Sequence, residues 1–200
     1  MADINDDNEV FAVREVRIDI LGITPYSPSK ASREKEKGES WDDYEASIWR
    51  GKAHQDNGVV FIPGTAFKLC LDEATQNLNE KIPGKGNQTW TGVIKMGVAP
   101  MSDVCLGVKV DDLRVEKVHC HANGKRLPGP RVTRWFPMLH DWHGTLTMRI
   151  FNDSLTSAKF EEFFSKAGLL AGVGRGRPST GSPIGNGRFR VKKFVWAQVS

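Results

Sequence analysis

The residues best suited to chemistry lie near the end of the chain, where glycines alternate with arginines. Residues 168–189 read GLLAGVGRGRPSTGSPIGNGRF and contain seven glycines. Glycines at this density let the backbone take positive φ and approach other groups closely. Backbone N–H groups and arginine forks are natural partners of phosphate oxygens. The segment therefore predicts a cationic cradle for a polyanion, with phosphate contacts from Arg175, Arg177 and Arg188.

A second basic segment lies at residues 123–136 and contains no acidic residue. Its predicted contacts, with a nucleic-acid strand or a neighbouring subunit, are Lys125, Arg126, Arg131 and Arg134. Aromatic rings in or beside loop-like segments could stack on bases, with Trp135 favoured among Trp41, Trp49, Trp90, Trp135, Phe136 and Trp142. For any single tryptophan, the alternative of a core residue is the more common one. Local positive charge attracts polyanions even though the net charge of the chain is only +4. The alternative interpretation of such a segment is a solvated basic face.

Signatures of metal, nucleotide or catalytic sites are weaker. The HCH run at residues 119–121 places its two histidines on one face of a strand with the cysteine opposite, and no Cys-x-x-Cys pair supports it. His140 and His143 add no further ligand pattern. The glycines at 172–176 follow a predicted helix and lack the Gly-Lys-Ser/Thr ending of a nucleotide loop. No carboxylate pair or nucleophile constellation stands out, so we expect no metal, no cofactor and no catalysis.

Composition restricts the class of protein. The chain has 200 residues, enough for one ordinary domain with a buried core, and its hydrophobic fraction of 39% argues against global disorder. No apolar run is long enough to span a bilayer, and the first residues are acidic and polar, which excludes a signal peptide. Three cysteines without framework spacing fit reduced thiols. We therefore expect a cytoplasmic protein that does not contact a membrane.

Hydrophobic periodicity predicts the elements that position these residues. Residues 10–24 and 144–152 alternate apolar and polar side chains, as half-buried strands do. Helices are predicted at 66–78, capped by Thr65, and from Ser154 or Thr156 to 170. Further strands are expected at 59–63, 92–98, 104–110, 113–121, 131–139 and 188–199. Residues 41–51 could form a short helix or a strand pair, and residues 27–39, 81–91 and 122–130 read as loops.

The order of strand, helix, strands, strand, helix and strand predicts the fold class. It is the skeleton of an α+β, ferredoxin-like (RRM-like) sandwich with long loop insertions. We expect a single domain over residues 1–200, with insertions near 27–51 and 81–143.

Two segments resemble the RAMP superfamily, whose members include the backbone subunits of CRISPR effector complexes. The closing AGVGRGRPSTGSPIGNGRFRVKKFVW is similar to its C-terminal glycine-rich loop, and VVFIPGTAFKLCLDEA is similar to its strand, Pro-Gly and helix segment. Pro63, Gly64, Thr65 and Lys68 match that second pattern. The usual Gly-x-Leu-Arg that follows is replaced by residues 69–72, Leu-Cys-Leu-Asp. The resemblance implies an RRM-like fold that binds single-stranded RNA, with Lys68 facing the bound backbone and inserted loops acting as a thumb between subunits.

The resulting prediction is a non-catalytic protein that binds a single nucleic-acid strand, with RNA first and DNA second. It would act as a homo-oligomer along the strand or as a subunit of a ribonucleoprotein complex. One alternative is an endoribonuclease of the same superfamily, which would cleave RNA with the help of a histidine. Another is a protein-interaction module that mimics a CRISPR subunit, which would bind a protein partner and no nucleic acid.

Overall fold

A computed structural model describes residues 13–121 and 131–198 of the chain. The strands are β1 (Arg14–Gly22), β2 (Gln55–Asp56), β3 (Val59–Ile62), β4 (Val98–Pro100), β5 (Val104–Lys109), β6 (Arg114–His121), β7 (Arg131–Met138), β8 (His143–Ile150) and β9 (Phe189–Gln198). The helices are α1 (Trp41–Ile48), α2 (Gly64–Leu78), α3 (Trp90–Gly97) and α4 (Ser157–Leu170). Short 3₁₀ turns cover Arg50–Lys52, Val110–Asp112 and Pro178–Thr180.

The main sheet has four antiparallel strands in the order β4-β8-β1-β9. Helix α2 lies between β1 and β4 in the chain, and α4 lies between β8 and β9. This is the βαββαβ arrangement of a ferredoxin-like fold, and it confirms the predicted fold class. The alternation of apolar and polar residues predicted a half-buried strand within residues 10–24. In β1, Val16, Ile18 and Ile20 are fully or almost fully buried, so one face of the strand packs against the core as predicted.

The two long helices supply much of the hydrophobic core. Phe67, Leu71 and Ala74 of α2 are buried, and α4 buries Phe160, Phe163, Phe164 and Ala167. Thr156 caps α4, because its side chain accepts a hydrogen bond from the Lys159 N–H. The predicted cap of α2 by Thr65 is wrong. Pro63 occupies the cap position, and the Gly64 N–H donates to Asp103 Oδ1 at 2.8 Å.

Two smaller β-structures complete the described part of the chain. Strands β2, β3 and β5 form one sheet, and β6 and β7 form a hairpin. The strand expected over residues 92–98 is wrong for most of its length, because α3 extends to Gly97 and β4 begins only at Val98. Trp90 and Ile94 recur at helical spacing, and the Trp90 ring packs 6.3 Å from that of Phe163.

No helix in residues 13–121 and 131–198 is long and apolar enough to cross a membrane.

Candidate nucleic-acid groove

A groove separates the glycine-rich segment, residues 172–187, from the N-terminal end of α2. We call it the glycine groove. Its volume is about 590 Å³, and its lining includes Tyr26, His54, Thr65, Leu69, Arg175 and Arg177. The groove places the glycine-rich segment beside the Pro-Gly-Thr turn at residues 63–65, although more than 100 residues separate them in the chain. These are the two segments whose patterns were singled out in the sequence.

The glycine-rich segment is folded tightly against the rest of the protein. Gly187 has φ of +71°, and a Cβ there would lie 1.7 Å from the Val173 carbonyl oxygen. The Arg175 N–H donates to the Ser27 carbonyl at 2.7 Å, and the Gly187 N–H donates to the Pro25 carbonyl at 2.8 Å. Gly187 therefore serves close packing, and several backbone amides of the segment are already bonded to protein carbonyls.

Arg175 and Arg177 both form ion pairs with carboxylates distant in sequence. Arg175 Nη2 lies 2.5 Å from Glu116 Oε2, its Nε donates to Ser27 Oγ, and its guanidinium lies 3.9 Å from the Phe136 ring centroid. Arg177 Nη2 lies 2.8 Å from Glu73 Oε1. The charge of the predicted cationic cradle is therefore balanced in part, because carboxylates of β6 and α2 pair with both arginines. Their contact with a strand stays a prediction.

The Arg177 pair also fixes the charge state of its partner. Burial opposes ionisation of Glu73, but hydrogen bonds from Arg177 and Ser179 outweigh that effect. The pKa of the Glu73 carboxyl therefore lies below its usual value, and the pair is charged at neutral pH. Any phosphate that enters the groove beside Arg177 must compete with this carboxylate.

Lys68 lies on α2 and is also paired. Its Nζ is 2.5 Å from Asp72 Oδ1 and 2.6 Å from Oδ2, and its side chain is 13% exposed. Asp72 is the residue that stands in place of the arginine in the RAMP pattern, so the departure noted in the sequence is the one that engages Lys68. The predicted contact of Lys68 with a strand remains untested.

Arg134 and Trp135 are anchored to α1 through a buried carboxylate. Glu45 is fully buried, and its oxygens accept from Arg134 Nη1 at 2.8 Å, from the Trp135 N–H at 2.8 Å and from Lys52 Nζ at 2.5 Å. Burial opposes ionisation of Glu45, but these hydrogen bonds outweigh it and lower its pKa. The Trp135 ring is partly buried, with Lys117 Nζ 3.8 Å from its centroid. This network fastens the β6–β7 hairpin to α1.

The remaining predicted residues lie apart from one another. Arg188 is half-buried and donates from Nε to the Leu169 carbonyl at 3.0 Å. Arg131 is exposed at the start of β7. Lys125 and Arg126 fall outside the described residues. The structure therefore gathers Arg175 and Arg177 at one groove, and Arg131 and Arg134 do not line it.

Sequence reasoning missed His54 as a groove residue. It precedes β2 and lines the glycine groove, where burial, with a smaller effect from the charge of Lys30, lowers its pKa. No motif surrounds this histidine, so nothing in the sequence could have singled it out. In residues 13–121 and 131–198, no three His, Cys, Asp or Glu side chains converge in an arrangement that could hold a metal ion.

The tryptophans considered for base stacking divide between core and surface. Trp49, Trp90 and Trp142 are buried, and Trp142 Nε1 donates to the Thr24 carbonyl at 2.8 Å. Trp41 and Trp135 are only partly buried. Trp49, Trp90 and Trp142 are therefore core residues, which was the alternative to base stacking in the sequence analysis.

Comparison with known proteins identifies the fold. No protein-family model and no curated protein matches the chain. A chain of the Type III-B Cmr-beta structure bound to cognate target RNA matches with a TM-score of 0.57 and 11% identity, over 94% of this chain and 62% of that one. Cmr6 from Pyrococcus furiosus matches with a TM-score of 0.48 and 14% identity, over 90% of this chain and 98% of that one. This chain thus spans less than two thirds of the Cmr-beta chain, whose fold it shares, and the predicted ferredoxin-like fold is confirmed.

Proposed function

We propose that this chain, with its RAMP-like fold, binds a single nucleic-acid strand in the glycine groove, with RNA as the preferred strand, as a subunit of a ribonucleoprotein assembly. One observation carries the proposal. The groove brings the N-terminal end of a 15-residue helix, the glycine-rich segment and two arginines to a single surface. A helix N-terminus and arginine side chains both favour an anion. A phosphate in this groove would compete with the carboxylates that already bind them, which are Asp103, Glu116 and Glu73.

The groove offers polar and cationic groups to the phosphate of a nucleotide and an apolar surface to its sugar or base. The first turn of helix α2 lines the groove, where Thr65 is exposed, and Asp103 already accepts a hydrogen bond from the Gly64 N–H at 2.8 Å. Arg175 and Arg177 each carry five N–H donors, more than their carboxylate partners accept. Leu69 is 58% exposed on the same lining and offers an apolar surface to a sugar or a base. Phosphate would therefore lie toward the helix end and the arginines.

The preference for RNA rests on the fold match. The Cmr-beta structure is that of a complex bound to cognate target RNA. The present groove lies between the elements that the RAMP resemblance associates with a bound strand. We infer RNA first and DNA second on this support.

A charge introduced at Thr65 tests the groove directly. Thr65 is the second residue of α2, where an aspartate is favourable to the helix dipole by about 0.3–1 kcal/mol. Thr65→Asp should therefore leave the fold intact while it repels phosphate. We expect binding of labelled single-stranded RNA, measured by fluorescence anisotropy, to weaken about tenfold, or about 1.4 kcal/mol. Ala158→Asp is the matched control, because Ala158 is the exposed second residue of α4.

The outcomes of this experiment are separable. Equal weakening by both variants would indicate a general charge effect and remove the groove from the site. Wild-type protein that binds neither RNA nor DNA would overturn the proposed function and favour the protein-interaction alternative.

His54 supports endoribonuclease activity as a second candidate. A lowered pKa keeps the imidazole neutral at pH 7, which is the state that a general base requires. The labelled RNA from the binding assay should therefore also be analysed on a denaturing gel. Cleavage that disappears in His54→Asn would establish an enzyme, whereas intact RNA would leave binding as the function.

A further inference from the structure

Several cations of this protein have no ion pair, and they lie away from the glycine groove. Arg175, Arg177, Lys68 and Arg134 all pair with carboxylates. Within residues 13–121 and 131–198, no carboxylate pairs with any of four exposed cations on β1 and β9, namely Arg17, Arg190, Lys192 and Lys193. An unpaired, hydrated cation is available to a ligand without the prior breaking of an internal ion pair.

These cations share the face of the main sheet opposite the helices. Val16, Ile18 and Ile20 of β1 are buried, so Arg17 and Asp19 project from the other face. In the register of β1 with β9, Asp19 pairs with Lys193 and Leu21 pairs with Arg190. We call this surface the open face.

A β-bulge brings two consecutive lysines to the open face. In a regular strand, Lys192 and Lys193 would point to opposite sides. The register shifts between Asp19 and Ile20, whose partners are Lys193 and Val191, so Lys192 is an extra residue on β9. Both lysines are exposed, and both line the same groove. Bulges that redirect a side chain in this way are often found next to functional sites.

The groove on the open face has a volume of about 620 Å³ and a net positive lining. Arg17, Lys192 and Lys193 line it together with one carboxylate, Asp19, so the lysine, arginine and aspartate side chains give a formal net charge of +2. Asp19 Oδ1 accepts a hydrogen bond from Thr145 Oγ1 at 2.8 Å, which holds it against the strand β8. The lining contains no phenylalanine, tyrosine or tryptophan, so it offers charge but no platform for base stacking.

We propose that the open face is a second binding site for the phosphate backbone of a single nucleic-acid strand. The proposal takes its ligand from the proposed function, but its location is independent of the glycine groove. Since charge alone would hold the strand, binding at the open face is insensitive to base sequence and discriminates little between RNA and DNA. It would extend the path of a strand held at the glycine groove or hold a second segment.

The test removes the two lysines. Lys192→Gln/Lys193→Gln should weaken binding of labelled oligouridylate by about tenfold or more at low salt. The slope of log K against log salt should fall by about 1.4, which is about 0.7 for each phosphate that the variant no longer neutralises. Lys85→Gln/Lys109→Gln is the matched control, because both lysines are exposed, lie outside both grooves and carry the same total charge. We expect the control to change affinity by less than about twofold.

Combination with Thr65→Asp separates the two proposals. If the lysine variant behaves like its control while Thr65→Asp weakens binding, the open face is excluded and the glycine groove stands. If the lysine variant weakens binding and Thr65→Asp does not, the open face is the site and the glycine groove is excluded. Polyglutamate of matched length that binds as tightly as oligouridylate would overturn the assignment of phosphate and indicate an acidic peptide instead.

Discussion

Glu73 controls how much of the charge on Arg177 can reach a ligand. The pair joins α2 to the glycine-rich segment, with side chains 35% and 30% exposed, so water and a ligand can both approach it. An exposed pair of this kind contributes only about 0–1 kcal/mol to stability. Its larger effect is on the electrostatic potential of the groove, because a neutral partner would leave the guanidinium charge uncompensated.

This geometry predicts opposite effects from the two members of the pair. Glu73→Gln should strengthen RNA binding by about threefold to tenfold, because Arg177 keeps a polar neighbour but loses its counter-charge. Arg177→Gln should weaken binding by a similar factor. Both are measured by anisotropy titration at low salt, with Glu161→Gln, an exposed residue of α4 outside the groove, as the control for net charge. A decrease in affinity from Glu73→Gln would mean that the pair acts only as a structural tie.

At the scale of elements, the glycine-rich segment is positioned by contacts that no side chain could replace. Gly187 illustrates the constraint, since it combines positive φ with a carbonyl oxygen where its Cβ would lie. Gly181 has φ of +69° but nothing within 4 Å of its Cβ position. The two positions therefore differ in packing while they share a backbone conformation.

Alanine substitution separates these two causes. Gly181→Ala should cost only the left-handed strain of about 1–2 kcal/mol. Gly187→Ala adds a steric clash with the Val173 carbonyl and should cost more than about 3 kcal/mol, which is the range reached by backbone strain and overpacking. Urea denaturation of both variants measures the difference. Equal losses would mean that the segment relaxes around Gly187 and is more pliable than its hydrogen bonds indicate.

The elements that could be predicted from sequence are those with a regular apolar period. Strand β1 alternates with period two, and the phenylalanines of α4 recur at helical spacing, so both were predicted close to their bounds. Helix α3 was missed because only two turns carry its signal, and Val98 continues it directly into β4. Short apolar runs of this length are ambiguous between helix and strand.

The segments that line the candidate site could be predicted from sequence, but the carboxylates that pair with its arginines could not. The glycine and Pro-Gly patterns identified both walls of the glycine groove. Glu73 and Glu116 lie 104 and 59 residues from their arginines, so their pairing could not be read from local composition. The two lysines of β9 are consecutive in sequence, and only the bulge in register reveals that they share a groove.

At the scale of the whole molecule, the hairpin of β6 and β7 lies outside the main sheet. Its strands hydrogen-bond to each other and to no other described strand. Its base is held through Glu45 and Lys52, and Lys52 Nζ donates to the Trp135 carbonyl at 2.7 Å. Arg131 marks the far end of β7, beside the residues 122–130 that carry Lys125 and Arg126. The hairpin is thus held at Trp135, and the basic residues Lys125, Arg126 and Arg131 lie in or directly after the sequence that joins its two strands.

We therefore expect the hairpin end to act in assembly along a strand, not in binding by a single subunit. Lys125→Gln/Arg126→Gln/Arg131→Gln should leave affinity for a strand of about 4–16 nucleotides, the length that one small domain covers, unchanged. On long RNA, light scattering should detect fewer subunits per strand and a loss of cooperativity. The control with equal loss of charge is Lys37→Gln/Lys85→Gln/Lys109→Gln, all exposed. Weaker binding of the short strand would place the hairpin end on the strand of its own subunit. Unchanged assembly on long RNA would exclude these three residues both from contact with the strand and from contact with a neighbouring subunit. Cations in either contact would affect how subunits assemble on a long strand.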